Sequence, residues 1–77
     1  MISDLTKVGI IGGSGFTGEE LLRLLSNHPK TEVMAISSRT LLGQSTNQIV
    51  EGSDLIFLEP DNDIFYDCEV VFFATPH

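Results

Sequence analysis

Four short apolar runs punctuate the chain: Lys7-Val-Gly-Ile-Ile-Gly12, Glu32-Val-Met-Ala-Ile-Ser37, Asp54-Leu-Ile-Phe-Leu-Glu59 and Glu69-Val-Val-Phe-Phe-Ala-Thr75. Each is continuously hydrophobic rather than alternating, the pattern of strands covered on both faces in a parallel sheet. Between the first two, Leu21, Leu22, Leu24 and Leu25 recur at helical spacing, with Glu19, Glu20, Arg23 and Ser26 on the other side. That spacing predicts an amphipathic helix from about Phe16 to Asn27. Pro29 ends it, because proline disfavours helical geometry at the residue before it. Glu19 and Glu20 fall in the first turns, where the helix dipole favours negative charge. Residues 7–37 thus read strand, glycine turn, helix, strand. In Thr40–Ser53, Leu41, Leu42, Ile49 and Val50 suit a short helix interrupted at Gly43, and Asp61–Asp67 suits a loop or one helical turn. The expected fold class is α/β: part of a Rossmann-type parallel sheet, an N-terminal βαβ unit plus two further strands.

The turn between the first strand and the helix carries the chemistry. Residues 12–18, Gly-Gly-Ser-Gly-Phe-Thr-Gly, fit Gly-x-x-Gly-x-x-Gly at Gly12, Gly15 and Gly18, and Gly-x-Gly-x-x-Gly at Gly13, Gly15 and Gly18. The first glycine turns the chain out of the strand, Gly15 leaves room for a pyrophosphate against backbone, and Gly18 lets helix and strand pack closely. The helix N-terminus, with Phe16 and Thr17 in its first turn, then offers N–H groups to phosphate. Ser14 and Thr17 add hydroxyl donors. A tight structural turn with no ligand is the competing reading.

The end of the second strand selects the nucleotide. NAD sites usually place Asp or Glu there for the ribose 2′-hydroxyl. Here stand Ser37, Ser38 and Arg39. Hydroxyls and a guanidinium attract a 2′-phosphate that a carboxylate repels, so the expected cofactor is NADP, with Arg39 and Ser37 or Ser38 on its 2′-phosphate. Arg39 as a plain surface residue at a loop start is the alternative. The last strand exits into Ala74-Thr75-Pro76-His77, and ligands of open α/β sheets bind outside the strands' carboxyl ends. Ala74 and Pro76 are therefore expected beside the cofactor. His77 has no partner in the chain to orient it and is read as structural or cofactor-adjacent. Cys68 precedes the fourth strand, at the opposite edge of the sheet, with Asp67 and Glu69 beside it to raise its pKa. It is read as structural. His28 is read as a helix C-terminal residue that favours the dipole. No catalytic residue and no metal ligand is expected in this chain.

Composition narrows the setting. In 77 residues, 42% of them hydrophobic, Lys+Arg number 4 and Asp+Glu 11, giving a net charge of −7; this is too apolar for a disordered acidic tail. Four scattered basic residues do not make a nucleic-acid surface or a site for anionic membranes. No apolar run nears the roughly 20 residues of a membrane span, and the N-terminus lacks the pattern of a signal peptide. A lone cysteine suits a reducing cytoplasm. Residues 51–77 contain seven acids and no Lys or Arg, so they hold the entire negative charge. The expected role of these acids is to solvate loop ends; the sharper alternative is a face for basic residues outside the chain.

The segments Val-Gly-Ile-Ile-Gly-Gly-Ser-Gly-Phe-Thr-Gly-Glu-Glu-Leu-Leu-Arg-Leu-Leu, Asn-His-Pro, Ser-Ser-Arg and the closing Val-Val-Phe-Phe-Ala-Thr-Pro-His resemble the start of the N-acetyl-γ-glutamyl-phosphate reductases. The resemblance implies a cytoplasmic, homo-oligomeric enzyme of arginine biosynthesis that reduces an acyl phosphate, N-acetylglutamyl 5-phosphate, to the semialdehyde with NADPH. It carries over to the loop Gly12–Gly18 and to Ser37–Arg39. It also implies that the catalytic Cys and His belong to a part of the enzyme that residues 1–77 do not contain, so that this segment is the N-terminal part of an NAD(P)-binding domain, inactive alone. One helix is too few for a four-stranded parallel sheet, and Phe57, Phe72 and Phe73 are expected to lie partly uncovered. The alternatives are an extended short-chain dehydrogenase, aspartate-semialdehyde dehydrogenase, or a non-catalytic NADP-sensing module. The first would need a Tyr-x-x-x-Lys pair, but Tyr66 is followed four positions later by Val70.

Overall fold

The computed structural model of the protein describes residues 5–13 and 15–74. Strand β1 (Thr6–Ile11) runs into the glycine turn, helix α1 spans Phe16–Ser26, and β2 (Thr31–Ile36) and β3 (Val70–Phe73) complete the sheet. The strands pair in parallel in the order β2-β1-β3. The chain therefore passes from β1 to one side and later crosses to the other. The carboxyl end of β1, beside β3, becomes a topological switch point, where open α/β sheets bind ligands.

The helix matches its expected extent to within a residue, and its end shows why. Asn27 caps it, its backbone N–H reaching Arg23 O at 3.2 Å and its side-chain Nδ2 reaching the same oxygen at 2.9 Å. Thr31 Oγ1 donates to Leu25 O at 2.7 Å. These contacts satisfy carbonyls that the helix leaves open. His28 Nδ1 accepts the backbone N–H of Lys30 at 2.9 Å, which ties the ring to the turn before β2 rather than to the last carbonyls.

The third apolar run departs from expectation. Residues 54–59 are extended but form no ladder. Leu58 makes one parallel bridge to Ser37, and Ile56 one antiparallel bridge to Ser45. Their backbone bonds are divided between two partners: Leu58 N–H to Ile36 O and Ser38 N–H to Leu58 O on the β2 side, Phe57 N–H to Gln44 O and Gly43 N–H to Phe57 O on the loop side. A segment shared in this way sits beside β2 yet repeats neither pairing long enough to be a strand. The same sharing buries Phe57 completely, against the expectation that it lies partly uncovered. It packs with Ile10, Leu22 and Ile36, and Leu41, Ile49, Val50 and Leu55 close around them. The segment Thr40–Ser53 thus caps the core as a loop with one short 3-10 turn, Thr46–Gln48, not as a helix.

The opposite face of the sheet is covered by a second 3-10 turn, Asp63–Asp67, capped by Asn62. Phe65 and Cys68 press on Gly9 so closely that a Cβ there would lie 2.9 Å from both Cys68 Sγ and Phe65 Cδ1. Beyond them the face stays open, with Phe73 74% exposed. All seven acids of residues 51–74 are exposed, as solvated loop ends require. Glu69 also accepts the Lys7 backbone N–H at 2.9 Å.

One irregularity bears on the site. The β1–β2 register slips between Val8 and Gly9: Val8 pairs with Val33, but Gly9 pairs with Ala35 and Ile10 with Ile36. The extra residue in β2 is a bulge, which re-aims the residues C-terminal to it.

Candidate functional site

The glycines of the turn divide by cause. Gly12 has φ +89°, in the region that favours glycine because a Cβ would clash, so it turns the chain out of β1. Gly18 sits in the first turns of α1, where a Cβ would lie 2.5 Å from Gly12 O and 2.6 Å from Gly13 Cα. Gly13 is buried, and a Cβ there would collide with Ile36 Cδ1. That packing role needs the fold to be seen, since Ile36 is distant in sequence.

Gly15 differs from all three. Its backbone is ordinary and extended, φ −83° and ψ 169°, and a Cβ there would meet nothing within 4 Å. Neither turn geometry nor packing among the described residues calls for glycine at this position. Gly15 is also the N-cap of α1 and has no side chain to bond the helix. The first N–H groups of a helix have no intrahelical partner. Here these are the N–H groups of Phe16, Thr17 and Gly18, which follow Gly15 in the chain, and the helix dipole adds partial positive charge. Phe16 and Thr17 are exposed. Ser14 lies outside the described residues.

Other expected site residues share this edge. Ala74, directly after β3, donates its N–H to Ile11 O at 2.8 Å, which sets it beside the entrance of the turn. Pro76 and His77 lie outside the described residues. Ser37 comes directly after β2 and is 1% exposed; Ser38 is 2% exposed. Ser37 Oγ accepts the Gly12 N–H at 3.1 Å, and Ser37 O accepts the Gly13 N–H at 2.7 Å. Ser38 Oγ accepts the Leu41 N–H at 2.9 Å, shaping the loop after β2. Arg39 is exposed and makes no ion pair among the described residues; it borders a shallow hollow with Leu42, Glu59, Pro60 and Asp61. The structure thus presents the guanidinium outward and turns both hydroxyls inward.

One other reactive side chain stands apart. Cys68 lies just before β3, at the far end of the sheet from the glycine turn. Burial pushes its thiol pKa up, and Asp67 adds to the effect; Glu69, also expected to contribute, bonds Lys7 instead. The raised pKa keeps the thiol protonated at neutral pH, unsuited to act as a nucleophile. The folded state holds this proton more tightly than the unfolded chain does. The resulting stability is therefore whole below the unfolded thiol's value of about 8.5 and is lost as pH rises through the folded value. Alkylation of Cys68 by iodoacetamide at pH 8 is expected to be slower in the native protein than in urea, and equal rates would contradict this environment. Among the described residues no group of three or more His, Cys, Asp or Glu is placed to hold a metal, and no helix is long and apolar enough to cross a membrane.

Comparison with known proteins agrees with this geometry. Residues 7–77 match the family described as semialdehyde dehydrogenase, NAD binding domain. The chain is 46% identical to the N-acetyl-gamma-glutamyl-phosphate reductase of Saccharophagus degradans over 95% of its length, and 52% identical to that of Archaeoglobus fulgidus over 92%. It spans under a quarter of those relatives' lengths, 22% and 23%. Its fold superposes on aspartate semialdehyde dehydrogenase with NADP from Candida albicans at a TM-score of 0.76 and 26% identity, covering 94% of this chain and 24% of that one.

Proposed function

We propose, on the premise that this chain belongs to the semialdehyde dehydrogenase NAD-binding domain family, that its glycine turn and the start of α1 hold the diphosphate of NADP. The observation that carries this is Gly15, a glycine with ordinary backbone and empty space where its Cβ would be. That space is open to a ligand, and the first amides of α1, which have no partner within the helix, suit an anion. Arg39 reads the 2′-phosphate from the surface after β2, with Glu59 and Asp61 bordering the same hollow. Ala74 flanks the nucleotide at the end of β3.

In the whole protein the activity is that of an N-acetyl-γ-glutamyl-phosphate reductase. This rests on the identity to curated reductases across nearly the full length of the chain. The substrate is then an acyl phosphate, the setting cytoplasmic and the assembly homo-oligomeric. The bound coenzyme supplies the hydride, and this chain's residues bind and orient it. Among the described residues neither Cys68 nor His28 faces the turn, and on this reading the nucleophile and the proton-transfer group are contributed from elsewhere in the whole protein.

Titration of the intact protein with NADPH and NADH tests the proposal. NADPH is expected to bind more tightly. Arg39→Glu is expected to weaken NADPH by tenfold or more, the usual scale for a hydrogen bond to a charged group, while NADH changes by less than about twofold. A protein that binds neither coenzyme refutes the coenzyme role, and an Arg39→Glu variant with unaltered NADPH affinity refutes the assignment of Arg39.

A further inference from the structure

We infer that Ser37 is a positioning residue of the coenzyme loop, bracing the glycine turn from beneath, and not a reader of the 2′-phosphate; this rests on the diphosphate reading of that turn. The first two amides after β1 are both committed to one residue. Gly12 N–H donates to Ser37 Oγ at 3.1 Å and Gly13 N–H to Ser37 O at 2.7 Å. Ser37 N–H in turn donates to Ile10 O at 2.8 Å. Side chain, carbonyl and amide of Ser37 thus clamp the chain on both sides of the bend, and the residue is 1% exposed, leaving little of it for a ligand to touch. With Gly12 and Gly13 engaged in this way, neither of these two amides is available to a diphosphate, whereas those at the start of α1 have no partner within the helix.

The slip in register makes the brace possible. Had the β1–β2 pairing continued unshifted from Val8↔Val33, Ile36 would occupy the place opposite the turn. Isoleucine offers its carbonyl but no hydroxyl, and Gly12 N–H would lose its acceptor. The bulge therefore delivers a serine to the one place where a second acceptor is needed. It leaves Ile36 in the core, where its Cδ1 packs against the bare face of Gly13. Turn, bulge and serine form one device, and its output is the orientation of the loop toward the phosphate.

A 2′-phosphate reader and a loop brace respond differently to loss of the hydroxyl. The probes are NADPH, NADH and adenosine 2′,5′-bisphosphate, which has the 2′-phosphate but no diphosphate, each titrated into the intact protein and its Ser37→Ala and Ser37→Thr variants. Loss of one hydrogen bond that shapes the diphosphate site is expected to weaken NADPH and NADH by the same factor, about fivefold. Adenosine 2′,5′-bisphosphate should bind as before, and Ser37→Thr should recover most of the loss. Without any ligand, the Gly12 amide is expected to exchange hydrogen faster in Ser37→Ala. That measurement stands whether or not the variant's affinity is hard to fit, and unchanged exchange overturns the brace. A wild type that binds the coenzymes, with a Ser37→Ala variant that loses affinity for NADPH and the bisphosphate but not for NADH, overturns this role and leaves the diphosphate reading intact. A wild type that ignores all three probes overturns both. A general loss of folding would weaken all three probes together in Ser37→Ala, and that pattern also counts against the inference.

Discussion

Glutamate in place of Gly15 is expected to leave the protein folded and to abolish coenzyme binding. The fold has no objection to a side chain there: φ −83° and ψ 169° suit any L-residue, and an added Cβ meets no atom within 4 Å. A change in stability within about 0.5 kcal/mol is typical of such surface positions. The coenzyme meets the opposite situation. The new carboxylate would stand at the helix start where the diphosphate is to lie. Two unit charges about 4 Å apart near a protein surface repel by roughly 4 kcal/mol, which corresponds to about a thousandfold in affinity. Gly15→Ala should fall between, since it adds bulk without charge. Paired chemical denaturation and coenzyme titration read the two halves separately. If the glutamate variant binds NADPH like the wild type, the diphosphate does not lie at Gly15. If it unfolds, the glycine has a structural duty after all.

The contrast between Gly15 and its neighbours shows what a sequence can disclose. The motif by itself marks a sharp turn, a close approach and a tight packing, and the structure shows the turn at Gly12 and the packing at Gly18. The helix is legible for a related reason: its apolar stripe and Pro29 act over a few neighbouring residues. Residues 54–59 are not, because a continuous apolar run records that a segment is buried and not which backbone it bonds. Phe57 is buried by the loop between β2 and its own segment, whose closure depends on Thr46 bonding Leu55 O and Ser53. No periodicity reports such contacts. The segment expected to select the cofactor sits between the two cases. Ser37, Ser38 and Arg39 stand where a nucleotide reader belongs, but a composition of hydroxyls and guanidinium does not say which groups face outward. A one-residue bulge in β2, invisible in Thr31–Ile36 as a string of letters, decides that for Ser37.

Gly18→Ala should produce the converse of the change at Gly15. Alanine is favoured over glycine within a helix by about 1 kcal/mol, so helix propensity alone would make this variant more stable. Packing opposes it. The new methyl would lie 2.5 Å from Gly12 O, 2.6 Å from Gly13 Cα and 2.9 Å from Gly13 C, all backbone atoms of a turn. None of them can swing aside as a side chain can. Gly12 is held at φ +89° and bonded to Ser37, while Gly13 is wedged against Ile36. Relief must come from moving the helix off the turn, and α1 carries Leu22 into the centre of the core. Overpacking of this kind costs about 1–3 kcal/mol and occasionally more. The net expectation is a loss of about 2 kcal/mol in chemical denaturation, a large share of a small domain's stability. If the start of α1 holds the diphosphate as proposed, NADPH and NADH should weaken together, by a common factor of about ten or more. Unlike the glutamate at Gly15, this change couples stability to binding. Should Gly18→Ala instead gain about 1 kcal/mol and bind both coenzymes normally, helix and turn are not in the close contact that orients those amides, and the geometry of the diphosphate site would have to be drawn differently.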